Sequence, residues 1–205
     1  MTVDFKEEIK KYVSGKRYDH SIAVEEECRV LAGIFSLDER DTERLSIAAY
    51  LHDMTKQLDT DGHIALCERF SIPYTKSDIA SPKTFHAKTG AALARENYPD
   101  LCDDFVFNCI RYHTTGRANM TLAESILYLA DYIEPTRTFR DCVALRNYFY
   151  NGLGNTEKHV LLRNTLIMSF DMTISDLVSS GRMIDFDTIA SRNHLLMQRF
   201  DQTKG

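Results

Sequence analysis

Six side chains in the first two-thirds of the chain are of the types that bind divalent metal ions. Four are imidazoles and two are carboxylates, which are the usual ligands of first-row divalent metals. Because a carboxylate can bridge two ions, such a set would give each of two metals three or four protein ligands. Coordination positions on each metal would remain free for water and substrate, as catalysis requires. The six residues are His20, His52, Asp53, His86, His113 and Asp131.

Helical periodicity dominates the sequence and predicts that these residues lie on helices or at helix ends. The predicted helices cover about 5–13, 18–35, 42–53, 62–70, 86–97, 100–113, 121–133, 138–149, 156–180 and 187–200, and 71–85 is predicted to be a loop with at most one helical turn. Thr121 and Glu124 have the spacing of a capping box, and Asp187 or Thr188 is the predicted cap of the last helix.

The expected fold is therefore an all-α helical bundle. We predict a single domain over residues 1–205, with a metal-binding core at about 15–137 and a C-terminal helical layer at about 138–203. The apolar face of the 156–180 helix would serve either this core or a homodimer.

Helical register predicts that several of the candidate ligands point inward. His20, His52 and His113 follow the apolar stripes of their helices, and Asp131 lies in a strongly apolar helix that carries no cation to pair it. Burying an unpaired carboxylate costs several kcal/mol, so a metal partner is favoured. A single inward histidine is more often a hydrogen-bonded core residue, and only the combination indicates a site. The remaining histidines, His63, His159 and His194, are interpreted as surface or packing residues.

Composition excludes several other classes of function. The net charge of −5 does not fit a nucleic-acid-binding surface. No apolar run approaches the roughly 20 residues that span a bilayer, and the charged N-terminus is not a secretory signal. The five cysteines are scattered and form no CxxC pair, which indicates reduced thiols and a cytoplasmic protein.

The order of the six residues and their flanking sequences resemble the HD-domain superfamily of metal-dependent phosphohydrolases. Within it, the chain looks like the YqeK family of symmetrical bis(5'-nucleosyl)-tetraphosphatases, and the resemblance covers nearly the whole chain. Ser191 stands where that family usually has a smaller residue such as alanine. The matching segments are Arg17–Ser21, Leu51–Lys56, His86–Ala91, Tyr112–Gly116, Tyr128–Arg137 and Thr188–Asn193.

This resemblance implies a two-metal hydrolase that cleaves diadenosine tetraphosphate symmetrically into two ADP by means of a metal-activated water. Asp53 would bridge the two ions. One ion would be held by His20, His52, Asp53 and Asp131, and the other by Asp53, His86 and His113. The resemblance implies iron, whereas the ligand types alone also admit manganese, cobalt or zinc.

Substrate contacts are predicted in three places along the chain. Lys56 and Arg137 lie close in sequence to Asp53 and Asp131, so their charges could grip the phosphate chain and take part in catalysis. The start of the last helix could bind the nucleotide. The predicted contacts there are Thr188, Ile189, Arg192 and Asn193.

Three other functions remain open at this point. The same ligands would serve another phosphohydrolase of this superfamily, such as a nucleotidase, pyrophosphatase or phosphodiesterase. A non-catalytic nucleotide-binding regulatory module and an oxygen-activating di-iron enzyme are the others. Arg137 and the Thr188–Asn193 segment favour a substrate with several phosphates, which makes a dinucleoside polyphosphate the expected partner.

Overall fold

The computed structural model describes residues 3–202, which fold almost entirely into helices. Pairing of the β type is limited, in this part of the chain, to one isolated bridge between Leu153 and Thr156. The all-α prediction is therefore confirmed. The helices are α1 Phe5–Glu8, α2 Lys16–Phe35, α3 Glu39–Leu51, α4 Thr60–Arg69, α5 Lys76–Ala80, α6 Pro82–Asn97, α7 Asp104–Tyr112, α8 Leu122–Ile133, α9 Arg140–Gly152, α10 Lys158–Ser179 and α11 Phe186–Gln202, and a 3-10 turn at Ile9–Lys11 follows α1.

Aspartate caps set the starts of several helices. The Asp38 side chain accepts a hydrogen bond from the backbone N–H of Asp41, so α3 begins earlier than the predicted residue 42. Asp103 caps α7 in the same way, and this helix begins later than the predicted residue 100. The capping box predicted for Thr121 and Glu124 is present at the start of α8.

Two further differences concern the segment before α6 and the start of the last helix. The segment 71–85 contains the short helix α5, which begins with a capping box between Thr75 and Asp78. Helix α6 begins at Pro82 rather than at the predicted His86. Proline suits a first helical position because its fixed φ is helical and its missing N–H needs no partner there. The last helix begins at Phe186. Its cap is Asp185, whose side chain accepts a hydrogen bond from the backbone N–H of Asp187, and not the predicted Asp187 or Thr188.

Helix α8 lies at the centre of the bundle. Its residues Ile126, Leu127, Leu129, Ala130 and Ile133 are fully buried, and it packs against α2, α3, α7 and α9. The ring of Tyr128 on α8 contacts Phe170 on α10, with 4.7 Å between the ring centroids. The C-terminal helices thereby cover one side of the central helix.

The five cysteines are buried and unpaired, as expected for reduced thiols. No helix within residues 3–202 is both long enough and apolar enough to cross a membrane.

Candidate metal centre

The six predicted ligands converge on one buried point, although they come from five separate helical segments. His20 is on α2, His86 on α6 and Asp131 on α8. His52 and Asp53 follow the end of α3, and His113 follows the end of α7. All six residues are buried, with at most 8% of their surface exposed.

The two carboxylate oxygens of Asp53 face different histidines. Its Oδ1 lies 3.1 Å from His86 Nε2 and 3.8 Å from His113 Nε2. Its Oδ2 lies 3.7 Å from His52 Nε2 and 3.9 Å from His20 Nε2. This is the arrangement that a carboxylate bridging two cations requires.

Asp131 lies beside His20 and His52, the two histidines that face Asp53 Oδ2. Its Oδ1 is 2.9 Å from His20 Nε2 and 3.8 Å from His52 Nε2. Among the described residues, two overlapping sets have ligand atoms within 4.8 Å of one another: His20, His52 and Asp131, and His52, Asp53 and His113. The first set matches the residues expected around one ion, and the second set spans the two expected sites, with His52 common to both sets.

Hydrogen bonds outside the centre orient three of the imidazoles. The Nδ1 atoms of His52 and His113 lie 2.6 Å from Ala49 O and 2.7 Å from Ile110 O, and each must donate because a carbonyl oxygen only accepts. His20 Nδ1 lies 3.0 Å from Glu134 Oε1. A proton on Nδ1 leaves the Nε2 lone pair of a neutral imidazole directed at the centre, as in metal-ligating histidines.

Buried atoms without hydrogen-bond partners indicate that these residues fit divalent cations. His52 Nε2 and Asp53 Oδ1 are both buried and accept no hydrogen bond, which is costly unless another group satisfies them. The Nε2 atoms of His86 and His113 lie only 3.0 Å apart. Two facing lone pairs at that distance repel each other unless a proton or a cation lies between or beside them.

The protonation states also suit metal ligation. Burial lowers the pKa of His52 to about 4 and that of His86 to about 3, so both rings are neutral at neutral pH. Burial opposes ionisation of Asp53 and Asp131. At Asp53, the neighbouring histidines and Lys56 outweigh the effect of burial. At Asp131, Arg137 and His20 do the same. The pKa of each carboxyl group is therefore held well below its usual range.

His20 differs from the other histidines. Burial lowers its pKa, but hydrogen bonds with Asp131 and Glu134 outweigh burial and raise the pKa to about 9. A cation bound through His20 Nε2 would replace a proton there, which is the usual coupling of metal binding to proton release.

The two cationic side chains singled out in the sequence, Lys56 and Arg137, both reach the centre. Lys56 Nζ lies 3.0 Å from His86 Nε2 and 3.5 Å from Asp53 Oδ1. Arg137 donates from Nη2 to Asp131 Oδ1 at 2.7 Å and from Nε to the Asp131 carbonyl at 3.0 Å. Asp131 thus has a cationic partner after all, supplied by the loop that follows its helix.

Sequence reasoning assigned no role to two further residues at the centre. Arg17 Nη1 donates to Asp53 Oδ2 at 2.8 Å, and the fully buried Glu134 accepts the hydrogen bond from His20. Each had a positional signal, since Arg17 lies three residues before His20 on α2 and Glu134 lies three residues after Asp131.

A cavity of about 550 Å³ leads from the centre toward α10, and we call it the α10 cavity. Lys56, His113, Asp131 and Arg137 line its inner end, and Thr188 also lines it. The other three predicted nucleotide contacts are outside its lining: Ile189 and Asn193 are exposed, and Arg192 pairs with Asp171.

Comparisons with known proteins agree with this geometry. The family model described as HD domain matches residues 17–136, more than half of the chain. Two relatives are named symmetrical bis(5'-nucleosyl)-tetraphosphatase. The one from Halalkalibacterium halodurans is 33% identical over 93% of this chain and 95% of its own. The one from Bacillus subtilis is 31% identical over 92% and 94%.

A solved structure is similar over almost the same length. It is described as a "predicted HD superfamily hydrolase involved in NAD metabolism" from Clostridium acetobutylicum, and it is 34% identical with a TM-score of 0.81. The similarity covers 95% of this chain and 96% of that one. The chain therefore belongs to the HD domain family and, within it, to the family of symmetrical bis(5'-nucleosyl)-tetraphosphatases.

Proposed function

We propose that this protein is a metal-dependent hydrolase that cleaves diadenosine tetraphosphate symmetrically into two ADP. The observation that carries the proposal is the joint presence of six buried His and Asp ligand groups and full-length similarity to relatives named for this activity. A regulatory module without catalysis would have no need of a carboxylate placed between two histidine groups.

Asp53 is the proposed bridge between two divalent ions, for which iron is our preferred assignment. His20, His52 and Asp131 would complete one site, and His86 and His113 the other. Bound there, the ions would activate a water molecule and neutralise charge on the phosphates. Glu134, Ala49 and Ile110 hold three of the rings in place through their Nδ1 atoms, so little reorganisation is needed when substrate binds.

Lys56 and Arg137 are the proposed phosphate-binding residues. Both line the inner end of the α10 cavity and both are half-buried, so their charges are less screened than those of surface residues. Arg137 offers a planar fork that can hold Asp131 with one edge and a phosphate oxygen with another. Lys56 carries a mobile ammonium that can move from His86 to an incoming oxygen.

The α10 cavity is the proposed site of one nucleotide half of the substrate. Tyr132, Met172 and Leu177 provide apolar or aromatic wall, and Thr188 provides a hydroxyl. Ile189, Arg192 and Asn193 would contact only the part of a nucleotide that extends beyond the cavity. Phe170 is fully buried in the core and cannot serve as a wall for the base.

The first experiment is to purify the protein under conditions that retain metal, measure metal content, and separate the products of diadenosine tetraphosphate. We expect about two ions per chain and ADP as the sole nucleotide product. AMP plus ATP would overturn the symmetric assignment. Preferred turnover of mononucleotides or cyclic dinucleotides would indicate another phosphohydrolase, and metal binding with no turnover would favour the binding module. Oxygen consumption with an organic co-substrate would favour oxidative chemistry.

A further inference from the structure

A second cavity reaches the metal centre from the side of α2. It measures about 670 Å³, and we call it the α2 cavity. Its lining includes Lys16, Arg17, His20, Gln57 and Arg137, of which Arg137 also lines the α10 cavity. The candidate centre therefore opens to solvent in two directions, with Arg137 between the two openings.

The carboxylate of Asp53 lies between the same two openings. Its Oδ2 accepts from Arg17, which lines the α2 cavity, at 2.8 Å. Its Oδ1 lies 3.5 Å from the ammonium of Lys56, which lines the α10 cavity. Each cavity thus brings one cation to one oxygen of the proposed bridging ligand.

The charge of the α2 cavity suits phosphate. Lys16, Arg17 and Arg137 line it together with two carboxylates. One of these, Glu134, is already engaged by His20 and by the Thr136 hydroxyl. Two of the three cations are engaged as well, Arg17 by Asp53 and Arg137 by Asp131, so Lys16 is the cation of this lining that is left to meet a phosphate. Lys16 and Gln57 are exposed, with no hydrogen bond or ion pair to another side chain, so both are free to contact a ligand.

Symmetric cleavage imposes a further geometric requirement. The bond that breaks lies at the middle of a four-phosphate chain, so equal nucleoside diphosphate halves extend from the centre on both sides. Pockets of roughly 300–1,000 Å³ suit one drug-sized ligand, and each of the two cavities lies in that range. The two cavities together therefore offer one pocket of this size for each half of the substrate.

We propose that the α2 cavity is a second nucleotide subsite, which binds one nucleoside diphosphate half of the substrate while the α10 cavity binds the other. Lys16, Arg17 and Gln57 are the residues that would contact this half, with Arg137 at the junction. The α2 cavity has no aromatic wall, so it would grip phosphate and ribose and tolerate different bases. This inference rests on the proposed hydrolase function.

The test is an equilibrium titration of the metal-loaded, full-length protein with ADP, which is the product that each subsite would hold. We expect two ADP per chain. Lys16→Glu should weaken one of the two by about tenfold, the effect of losing one charged phosphate contact and adding a repulsive one. Lys83→Glu, in the lining of the α10 cavity, should weaken the other. Arg40→Glu, on an exposed residue outside both linings, should change neither.

Cleavage of diadenosine tetraphosphate is measured in the same preparations. If the wild-type protein releases ADP but binds a single ADP that Lys16→Glu does not affect, the second subsite is wrong and the hydrolase function stands. If the metal-loaded protein cleaves no dinucleotide, both proposals fail together. Two ADP per chain, with Lys16→Glu raising KM for the dinucleotide and leaving one ADP bound normally, supports the subsite.

Discussion

At the scale of single residues, Asp53 is the side chain on which the proposed centre depends. Asp53→Ala should remove the shared ligand, so we expect metal content to fall toward zero and turnover to fall by roughly a thousandfold or more. The helical circular dichroism spectrum should persist, because the apolar core does not involve this carboxylate. Metal analysis and ADP release measure the effect, with Asp61→Ala on the exposed surface of α4 as the matched control. Surviving activity would contradict the bridging role.

Glu134 offers a second prediction at this scale. It is fully buried and accepts from His20 Nδ1, and Thr136 donates to both of its oxygens. Glu134→Gln preserves shape but removes the charge that makes His20 a stronger ligand. Metal affinity should fall by about 10- to 100-fold, the usual cost of losing such a partner, while turnover at saturating metal changes less. If a metal titration shows that the variant binds metal as tightly as the wild type, Glu134 does not tune His20 and only holds the loop at Thr136 in place.

The six metal-binding candidates were predictable because ligand chemistry depends on residue type and because helical register places these residues inward. Arg17 and Glu134 were within recognised segments, yet their roles were not predictable. Glu134 meets His20 across 114 residues of chain, and such a contact depends on how two helices pack. The pairing of Arg137 with Asp131 was not predictable from helical register, because Arg137 lies beyond the end of α8 and reaches Asp131 only through the path of the following loop.

At the scale of elements, the sequence predicted most helices and misplaced several of their ends. Helix existence follows from long apolar periodicity, whereas a start depends on which of several nearby polar residues becomes the cap. Near the last helix Asp185, Asp187 and Thr188 all could have served, and the packed structure uses Asp185. The prediction for 71–85 allowed one helical turn, which α5 provides, but it missed that α6 already begins at Pro82, because proline was taken as a helix breaker and not as a first helical residue.

Gly116 follows the end of α7 and packs against Phe170 of α10 and Ser191 of α11. Its φ is +63°, and a Cβ there would lie 2.6 Å from Ser191 Oγ and 2.7 Å from Phe170 Cζ. Gly116→Ala should therefore destabilise the protein by roughly 2–4 kcal/mol, since left-handed strain and overpacking add. It should also lower activity, because the clash displaces α10, a wall of the α10 cavity.

Gly154 provides the matched control for this prediction. Its φ is +84°, but a Cβ there would meet nothing within 4 Å. Gly154→Ala should cost only the backbone strain, roughly 1–2 kcal/mol. Denaturant unfolding of both variants measures the difference, and equal losses of stability would show that the contacts with Ser191 and Phe170 relax without cost.

At the scale of the whole molecule, five helical segments meet at the proposed centre and the α9–α11 layer supplies much of the α10 cavity. The six candidate ligands could be proposed from the sequence, but the cavities could not. Their walls come from residues such as Met172, Leu177 and Gln57, which have no distinctive pattern in sequence. Which side of a bundle stays open depends on loop paths and helix packing. The proposed second subsite could therefore be inferred only from the folded chain.

Metal removal should affect the stability of the entire fold. An ion that binds only the folded state stabilises it by about 2.7 kcal/mol at a concentration a hundredfold above its Kd, which for a chain of this size corresponds to roughly 5–10 °C in Tm. The buried, unpartnered atoms of His52 and Asp53 are the groups that ion binding would satisfy. We therefore expect a chelator to lower Tm by this amount while the protein stays helical. The Asp53→Ala variant should show a low Tm that neither chelator nor added metal changes. If neither the chelator nor added metal changes the Tm of the wild-type protein, the six side chains do not form an ion site in the folded protein.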